Sequence, residues 1–309
     1  MTDISNDIKN GTLIIKGLTY ENNKYSLSRD ITWTGTDNDR YILLQDNETF
    51  DGENHTITIG GNSFTYGIFA SNGSSLVKGP VIKKLKVSGV IVKPNNNAGG
   101  GGIMRYGQRY FTIKRCSTNG TISQICGGIS GSHTGLGGKC LIYKCSSSGP
   151  IGSYGGGIVG TCSSATDECI CTIHECFSSG LINDESGGIC GSHAGYGIVS
   201  SVNNYTIYNC YSTGMISGNA GGVCGSNAGS PGSCTIYNCY SVGNIGTLSL
   251  GSAGGICGRC IDNGGNLNIS MCYSLGNMIG LTGDRTGGII GRIASTNFVV
   301  NITDCYFDW

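Results

Sequence analysis

From residue 100 to the end of the chain, apolar and polar positions alternate in short runs that return at a near-constant interval. A Gly-Gly-apolar triplet begins at Gly101, Gly127, Gly156, Gly187, Gly221, Gly254 and Gly287, with spacings of 26, 29, 31, 34, 33 and 33 residues. Each triplet leads into a variable stretch rich in glycine and serine. A segment of the form apolar-x-Ile-x-x-Cys follows: FTIKRC, CLIYKC, CTIHEC, YTIYNC, CTIYNC, LNISMC and VNITDC. A period of two between apolar residues, β-branched side chains and several glycines per segment exclude helices and predict short strands. Repetition at this interval predicts a solenoid.

With three short strands per coil and coils about 4.8 Å apart, equivalent residues lie directly above one another. Ile113, Ile142, Ile173, Ile207, Ile236, Ile269 and Ile302 then form one stack. Ile122, Ile151, Ile182, Ile216, Ile245 and Met278 form a second, and Ile103, Ile129, Ile158, Ile189, Val223, Ile256 and Ile289 a third. The pattern extends backwards through YGIFAS (66–71) and VIKKLKVSG (81–89), where Leu85 takes the cysteine slot. The predicted fold is therefore all-β: a single-stranded right-handed parallel β-helix with three-strand coils. Residues 1–65 are expected to form a cap and irregular opening coils, and residues 66–309 the regular repeats. A cap is needed because an uncovered coil presents unpaired strand edges. At the other end, Tyr306, Phe307 and Trp309, or a partner, are expected to cover the last coil. Glycines are expected where the chain turns with positive φ or where backbones crowd.

GGIVG, GGICG and GGIIG, each followed by an xIxxCYSxGxI-like segment, resemble the GLUG-type repeat of large bacterial surface and secreted proteins over residues 100–309. The terminal CYFD is similar to that family's frequent ending, and FDGENHTITIGG (50–61) resembles the opening coils of the pectin-lyase-like superfamily. The resemblance implies the fold and a surface location. It implies no single activity, because the superfamily hosts many.

Charged residues are 12% of the 309, with 19 acidic and 19 basic and no net charge, so a nucleic-acid binder with a basic stripe is not expected. No apolar run approaches the ~18 residues of a membrane span. The N-terminus MTDISNDIKNGTLIIKG lacks a basic segment followed by an apolar one. Synthesis and assembly in a reducing cytoplasm are therefore expected, before placement on a virion or cell surface.

The seventeen cysteines bear on this directly. Cys116, Cys145, Cys176, Cys210, Cys239, Cys272 and Cys305 share the slot of Leu85. Cys140, Cys171 and Cys234 share one with Phe111, Tyr205, Leu267 and Val300, and Cys190, Cys224 and Cys257 one with Met104, Ser130, Val159 and Ile290. Slots that accept Leu, Phe or Val want an apolar filler, which a free cysteine is. Parallel side chains on stacked strands suit a relaxed disulfide poorly. Outside these columns, Cys162 and Cys169 flank one loop and are the best bridge candidates, with Cys126 and Cys260 remaining. No cofactor is expected. His133 and His193, with Cys162 in the coil between, are the one constellation that hints at a metal.

Catalysis on a polysaccharide needs a pair of carboxylates or a base beside acids. Asp167, Glu168, Glu175, Asp184, Glu185, Asp262, Asp284, Asp304 and Asp308 fall in different columns. Arg259 and Arg292 stack in adjacent coils without an acidic cluster to join them. Binding has more to stand on. Tyr211, Tyr240, Tyr273 and Tyr306 follow the cysteine, and Tyr143, His174, Tyr208 and Tyr237 follow the isoleucine, both on the outside, where a ridge of rings could meet sugars or protein. The expectation is a non-enzymatic structural component of a virion or cell surface, presenting loops and an aromatic ridge made by Tyr208, Tyr211, Tyr237, Tyr240, Tyr273 and Tyr306. The alternatives are a carbohydrate- or host-binding adhesin and, third, a polysaccharide lyase or glycoside hydrolase. Expected partners are other protein subunits or surface glycans, with no nucleic acid and no membrane span, and self-association through the C-terminal edge.

Overall fold

The computed structural model describes residues 2–33, 40–60, 64–92, 99–162, 169–196, 204–246, 251–260, 264–279, 286–294 and 297–308. Asp167, Glu168, Asp262, Asp284 and Trp309 lie outside them. The chain winds into a β-solenoid of about seven regular turns, preceded by less regular coils. Two continuous sheets run along it. Face 1 stacks the parallel strands Lys24–Leu27, Thr49–Asp51, Val81–Lys83, Phe111–Lys114, Gly138–Tyr143, Cys169–His174, Asn204–Tyr208, Ser233–Tyr237, Asn266–Ser270 and Val299–Thr303. Face 2 stacks Ile31–Trp33, Thr56–Ile59, Lys86–Ser88, Ser117–Thr118, Ser146–Ser147, Phe177–Ser178, Tyr211–Ser212, Tyr240–Ser241, Tyr273–Ser274 and Tyr306–Phe307. The remaining sides narrow mainly to ladders of single parallel bridges, such as Ile122 to Ile151 and Gly127 to Gly156. At the N-terminal end Leu18–Glu21 pairs antiparallel with Lys24–Leu27, beside the short helix Ser5–Lys9. Among the described residues no helix is long and apolar enough to cross a membrane.

Register carries identical residues into contact. Ile113 pairs with Ile142, Ile142 with Ile173, Ile173 with Ile207, Ile207 with Ile236, and Ile236 with Ile269. These six are buried. Ile302 continues the register but is 45% exposed, and Cys305 is only half-buried. Both had been expected in the core. They lie in the last coil, where no further described coil of this chain covers the outer side.

Between the two faces the chain turns at Lys84, Arg115, Lys144, Glu175, Asn209, Asn238, Met271 and Asp304, all with φ between +49° and +55°. The corners between these two faces are thus turned by non-glycine residues in the left-handed region, while glycines take positive φ at other turns, such as Gly67, Gly89 and Gly135. The paired glycines answer to crowding instead. Behind face 2 runs a buried inner column of Thr118, Ser147, Ser178, Ser212, Ser241 and Ser274. The second glycine of each pair lies against it, except Gly288, which meets Phe307: a Cβ on Gly222 would overlap Ser241 Oγ and the Gly255 carbonyl oxygen.

The corner also accounts for cysteine where leucine would fit. The Sγ of each cysteine in the long column donates to the carbonyl two residues earlier, on the far side of the turn: Cys145 to Tyr143 O at 3.3 Å, Cys176 to His174 O at 3.3 Å, Cys210 to Tyr208 O at 3.3 Å. A small filler with a weak donor satisfies both demands of the slot. The seventeen cysteines form no disulfide with one another, and all but Cys305 are buried. Burial, the largest cause, pushes the Cys145, Cys176, Cys210 and Cys239 thiols well above their ordinary value, so they stay protonated and unreactive. A thiol reagent is therefore expected to label Cys305 first and the other cysteines only after unfolding. Rapid labelling of several thiols in the native protein would contradict this packing. Fewer than seventeen reactive thiols in the denatured, unreduced protein would show bridges.

A candidate binding face

The outward positions of the two faces carry two aromatic ladders. On face 1, Tyr143, His174, Tyr208 and Tyr237 stack with centroid separations of 4.9, 4.8 and 4.9 Å and interplanar angles of 3°, 6° and 4°. On face 2, Phe177, Tyr211, Tyr240 and Tyr273 stack at 5.2, 4.8 and 4.9 Å with angles of 8°, 1° and 2°. Tyr306 continues the register, paired with Tyr273. Coil spacing alone imposes this geometry, since one outward residue per coil places rings within stacking distance.

Stacking changes what the ridge can do. Within a ladder each ring face is covered by the next ring, so the inner tyrosines offer edges and hydroxyls rather than faces. Burial and then the neighbouring phenols raise the Tyr240 hydroxyl above its ordinary value, while burial, Tyr237 and Glu175 raise Tyr208. Asp308 is the main cause of the rise at Tyr306. These rungs are uncharged at neutral pH. Only a ladder's end ring has an uncovered face. On face 1 the end rings are Tyr143, with Lys114 Nζ 5.9 Å from its centroid, and Tyr237, whose neighbour in register is Ser270. On face 2 they are Phe177, whose neighbour in register is the small Ser146, and Tyr273, which Tyr306 follows in register.

Face 2 also exposes aliphatic side chains that sequence reasoning missed. Two and four residues beyond the ladder, Leu181, Met215, Val242 and Leu275 are exposed, together with Phe177, Tyr273 and Tyr306. Strand alternation was enough to find them, because they share the outward parity of the tyrosines. Exposed apolar side chains clustered on one side of a sheet mark an interaction surface more strongly than single scattered ones.

Before Phe177 the same outward column reads Lys86, Ser117, Ser146. Between the two large ends lies a groove of about 320 Å³, lined by Lys86, Ser88, Ser117, Asn119, Ser146, Ser148 and Phe177 among others. Cations gather along its side. Lys84, Arg115 and Lys144 turn the corners of three successive coils, with Lys83 and Lys114 just before two of them. Lys83 is 2.9 Å from Asp51, Lys84 3.6 Å from Glu53 and Lys144 3.3 Å from Glu175, whereas Lys86, Lys114 and Arg115 form no ion pair among the described residues.

The other candidate centres stand apart. His133, Cys162 and His193 are in register: the His133 N–H donates to Thr161 O at 2.9 Å and the Cys162 N–H to Ser192 O at 3.0 Å. Cys162 points into the core while both histidines occupy left-handed turns. Burial lowers the His133 ring below its ordinary value. No group of three or more His, Cys, Asp or Glu side chains among the described residues is placed to hold a metal ion. Arg259 and Arg292 do pair in register. One acid reaches Arg259 along the solenoid, Glu185 Oε1 lying 2.7 Å from a guanidinium nitrogen, a contact that column reading did not anticipate.

A crystal structure from Bacteroides ovatus, of a protein described as a putative immunoglobulin A1 protease, superposes with a TM-score of 0.43 and 17% identity over 91% of this chain and 77% of that one. Similarity at this level transfers no activity. No protein-family model matches the chain, and no curated protein matches it.

Proposed function

We propose that this β-solenoid is a non-enzymatic structural component of a virion or cell surface and that face 2 docks a neighbouring protein subunit. The observation that carries this reading is the exposed apolar and aromatic face, set on a rigid parallel sheet with Val242 and Leu275 side by side with the Tyr240–Tyr273 rungs. Desolvating such a face stabilises a complex by roughly 25 cal/mol per Å² of apolar area before the costs of association. Proteins prefer flat apolar faces with tyrosine, where ring edges and hydroxyls suffice. The resemblance of the Gly-Gly-apolar repeats to GLUG-type surface proteins supports the same location. A carbohydrate-binding role has its own support in the groove beside Phe177.

The test is a double substitution, Val242→Asp with Leu275→Asp. Both side chains are exposed, so the solenoid should fold with an unchanged circular dichroism spectrum. Incorporation into purified particles or envelopes, measured by quantitative mass spectrometry, should fall by ~10-fold or more, equivalent to ~1.4 kcal/mol. Wild-type protein missing from both fractions, or a variant incorporated as well as wild type, would sink the proposal.

A further inference from the structure

The geometry points to a second, separate site: the groove on face 2 between Lys86 and Phe177 binds an acidic oligosaccharide, one whose sugars carry sulfate or carboxylate groups. It meets the docking face at Phe177 but does not depend on the part of that face around Val242 and Leu275, which lies on later coils.

Three features of the groove converge on this chemistry. Its far wall is the one ring on face 2 that ends a ladder on the side of a small neighbour, Ser146, so the Phe177 face is open along the solenoid axis. A pyranose presents a patch of C–H bonds that packs on such a face. The floor is polar: Ser117, Ser146, Asn119 and Ser148 supply hydroxyls and an amide that can both donate and accept, as sugar hydroxyls require. The near wall is Lys86, exposed and without an ion pair among the described residues, with Arg115 exposed at the adjacent corner and likewise unpaired. Asp30, at that end, accepts from the Thr56 N–H at 2.8 Å and lies 3.2 Å from the His55 ring, and it feels the Lys86 charge without forming an ion pair with it.

Scale agrees with the assignment. Lys86 and Phe177 are three coil steps apart, about 14 Å at the strand spacing of parallel sheets. That is room for a short run of sugars between a cationic and an aromatic contact. The contrast with face 1 is informative. There, Lys114 stands over the end ring Tyr143, and the corresponding face is taken by the protein's own cation. On face 2 cation and ring are held apart by two serine coils, leaving a gap that a ligand bridging both would fill. Nucleic acid offers phosphates and rings too, but its bases need several accessible ring faces, and this groove offers one.

Binding is to be measured by calorimetry on the full chain with four probes: a sulfated decasaccharide, a polyuronate decasaccharide, an uncharged decasaccharide and a single-stranded decanucleotide. At least one acidic saccharide should bind, with affinity falling as salt rises; which of the two is tighter identifies sulfate or carboxylate as the recognised group. Lys86→Gln with Arg115→Gln should weaken it by ~10-fold, and Phe177→Ala by a similar factor. Ser146→Tyr is the decisive variant. It adds a rung to the ladder and closes the groove, so the melting temperature should hold or rise while saccharide binding is lost. The Val242→Asp, Leu275→Asp double variant should bind the saccharide as wild type does, which separates this site from the docking face. Any of four results overturns the site: no saccharide bound, the uncharged probe bound as tightly as the acidic ones, the oligonucleotide bound most tightly, or full binding by Ser146→Tyr.

Discussion

Gly222→Ala is expected to destabilise the solenoid by more than about 4 kcal/mol, in the range reserved for severe core damage. The added methyl would meet the Gly255 carbonyl oxygen of the next coil and Ser241 Oγ of the opposite wall. Neither is the far end of a flexible chain. The carbonyl is backbone, and the Gly222 N–H itself donates to Gly254 O at 3.2 Å, so the two coils cannot part without losing the ladder. Overpacking of a well-packed interior usually costs about 1–3 kcal/mol, but there side chains can yield. Pairing the change with Ser241→Gly should recover little, because the carbonyl overlap persists. Gly246→Ala is the control, since its methyl would find the Ile279 carbonyl oxygen no nearer than 3.5 Å. Urea denaturation followed by circular dichroism reads the difference. A Gly222→Ala protein within about 1 kcal/mol of wild type would mean that the walls stand farther apart than described.

The second large effect is expected at Tyr205. Its ring is buried in the column that runs Phe111, Cys140, Cys171, Tyr205, Cys234, Leu267, and its hydroxyl donates to Thr134 O at 2.7 Å, 71 positions back in the chain. Small thiols flank it in both neighbouring coils, and the ring uses the volume they leave. Burial, the largest cause, holds the phenol well above its ordinary value, so it remains neutral. Tyr205→Ala empties that volume and should cost about 3–5 kcal/mol. Tyr205→Phe keeps the ring and loses one buried hydrogen bond, for about 1 kcal/mol. Denaturant midpoints should rank wild type, Phe and Ala in that order. Equal losses for both variants would shift the weight from packing to the hydrogen bond with Thr134.

The fold was readable from the chain because a solenoid repeats its own evidence. Seven isoleucines at matching offsets state one column, and Leu85 standing in for cysteine identifies what that slot requires. The corners were less readable. Three successive corners are cations, Lys84, Arg115 and Lys144, but Glu175 and Met271 take the same place in later coils, because the left-handed turn constrains the backbone and not one side-chain chemistry. The contact of Gly222 with Ser241 joins two walls of one coil, a distance that no periodicity expresses. At the site, the tyrosines were visible as residues but not as rings whose faces cover one another. The groove is defined by smallness, at Ser117 and Ser146, between larger neighbours, and absence of bulk leaves little trace in a string already rich in serine. The cations beside it are diluted by a net charge of zero and gather only when coils stack.

The hydrogen bonds that join one coil to the next on both faces run along the long axis, residue over residue. A pull on the two ends of the axis therefore loads coil after coil in series, each held by only its own few bonds. A sideways force is shared across the covalent chain, which circles the axis in every turn. Such a body resists bending and crushing and yields, when it does, by unwinding from an end. An anchorage across its flank would spare it that loading, and an anchorage at its tips would not.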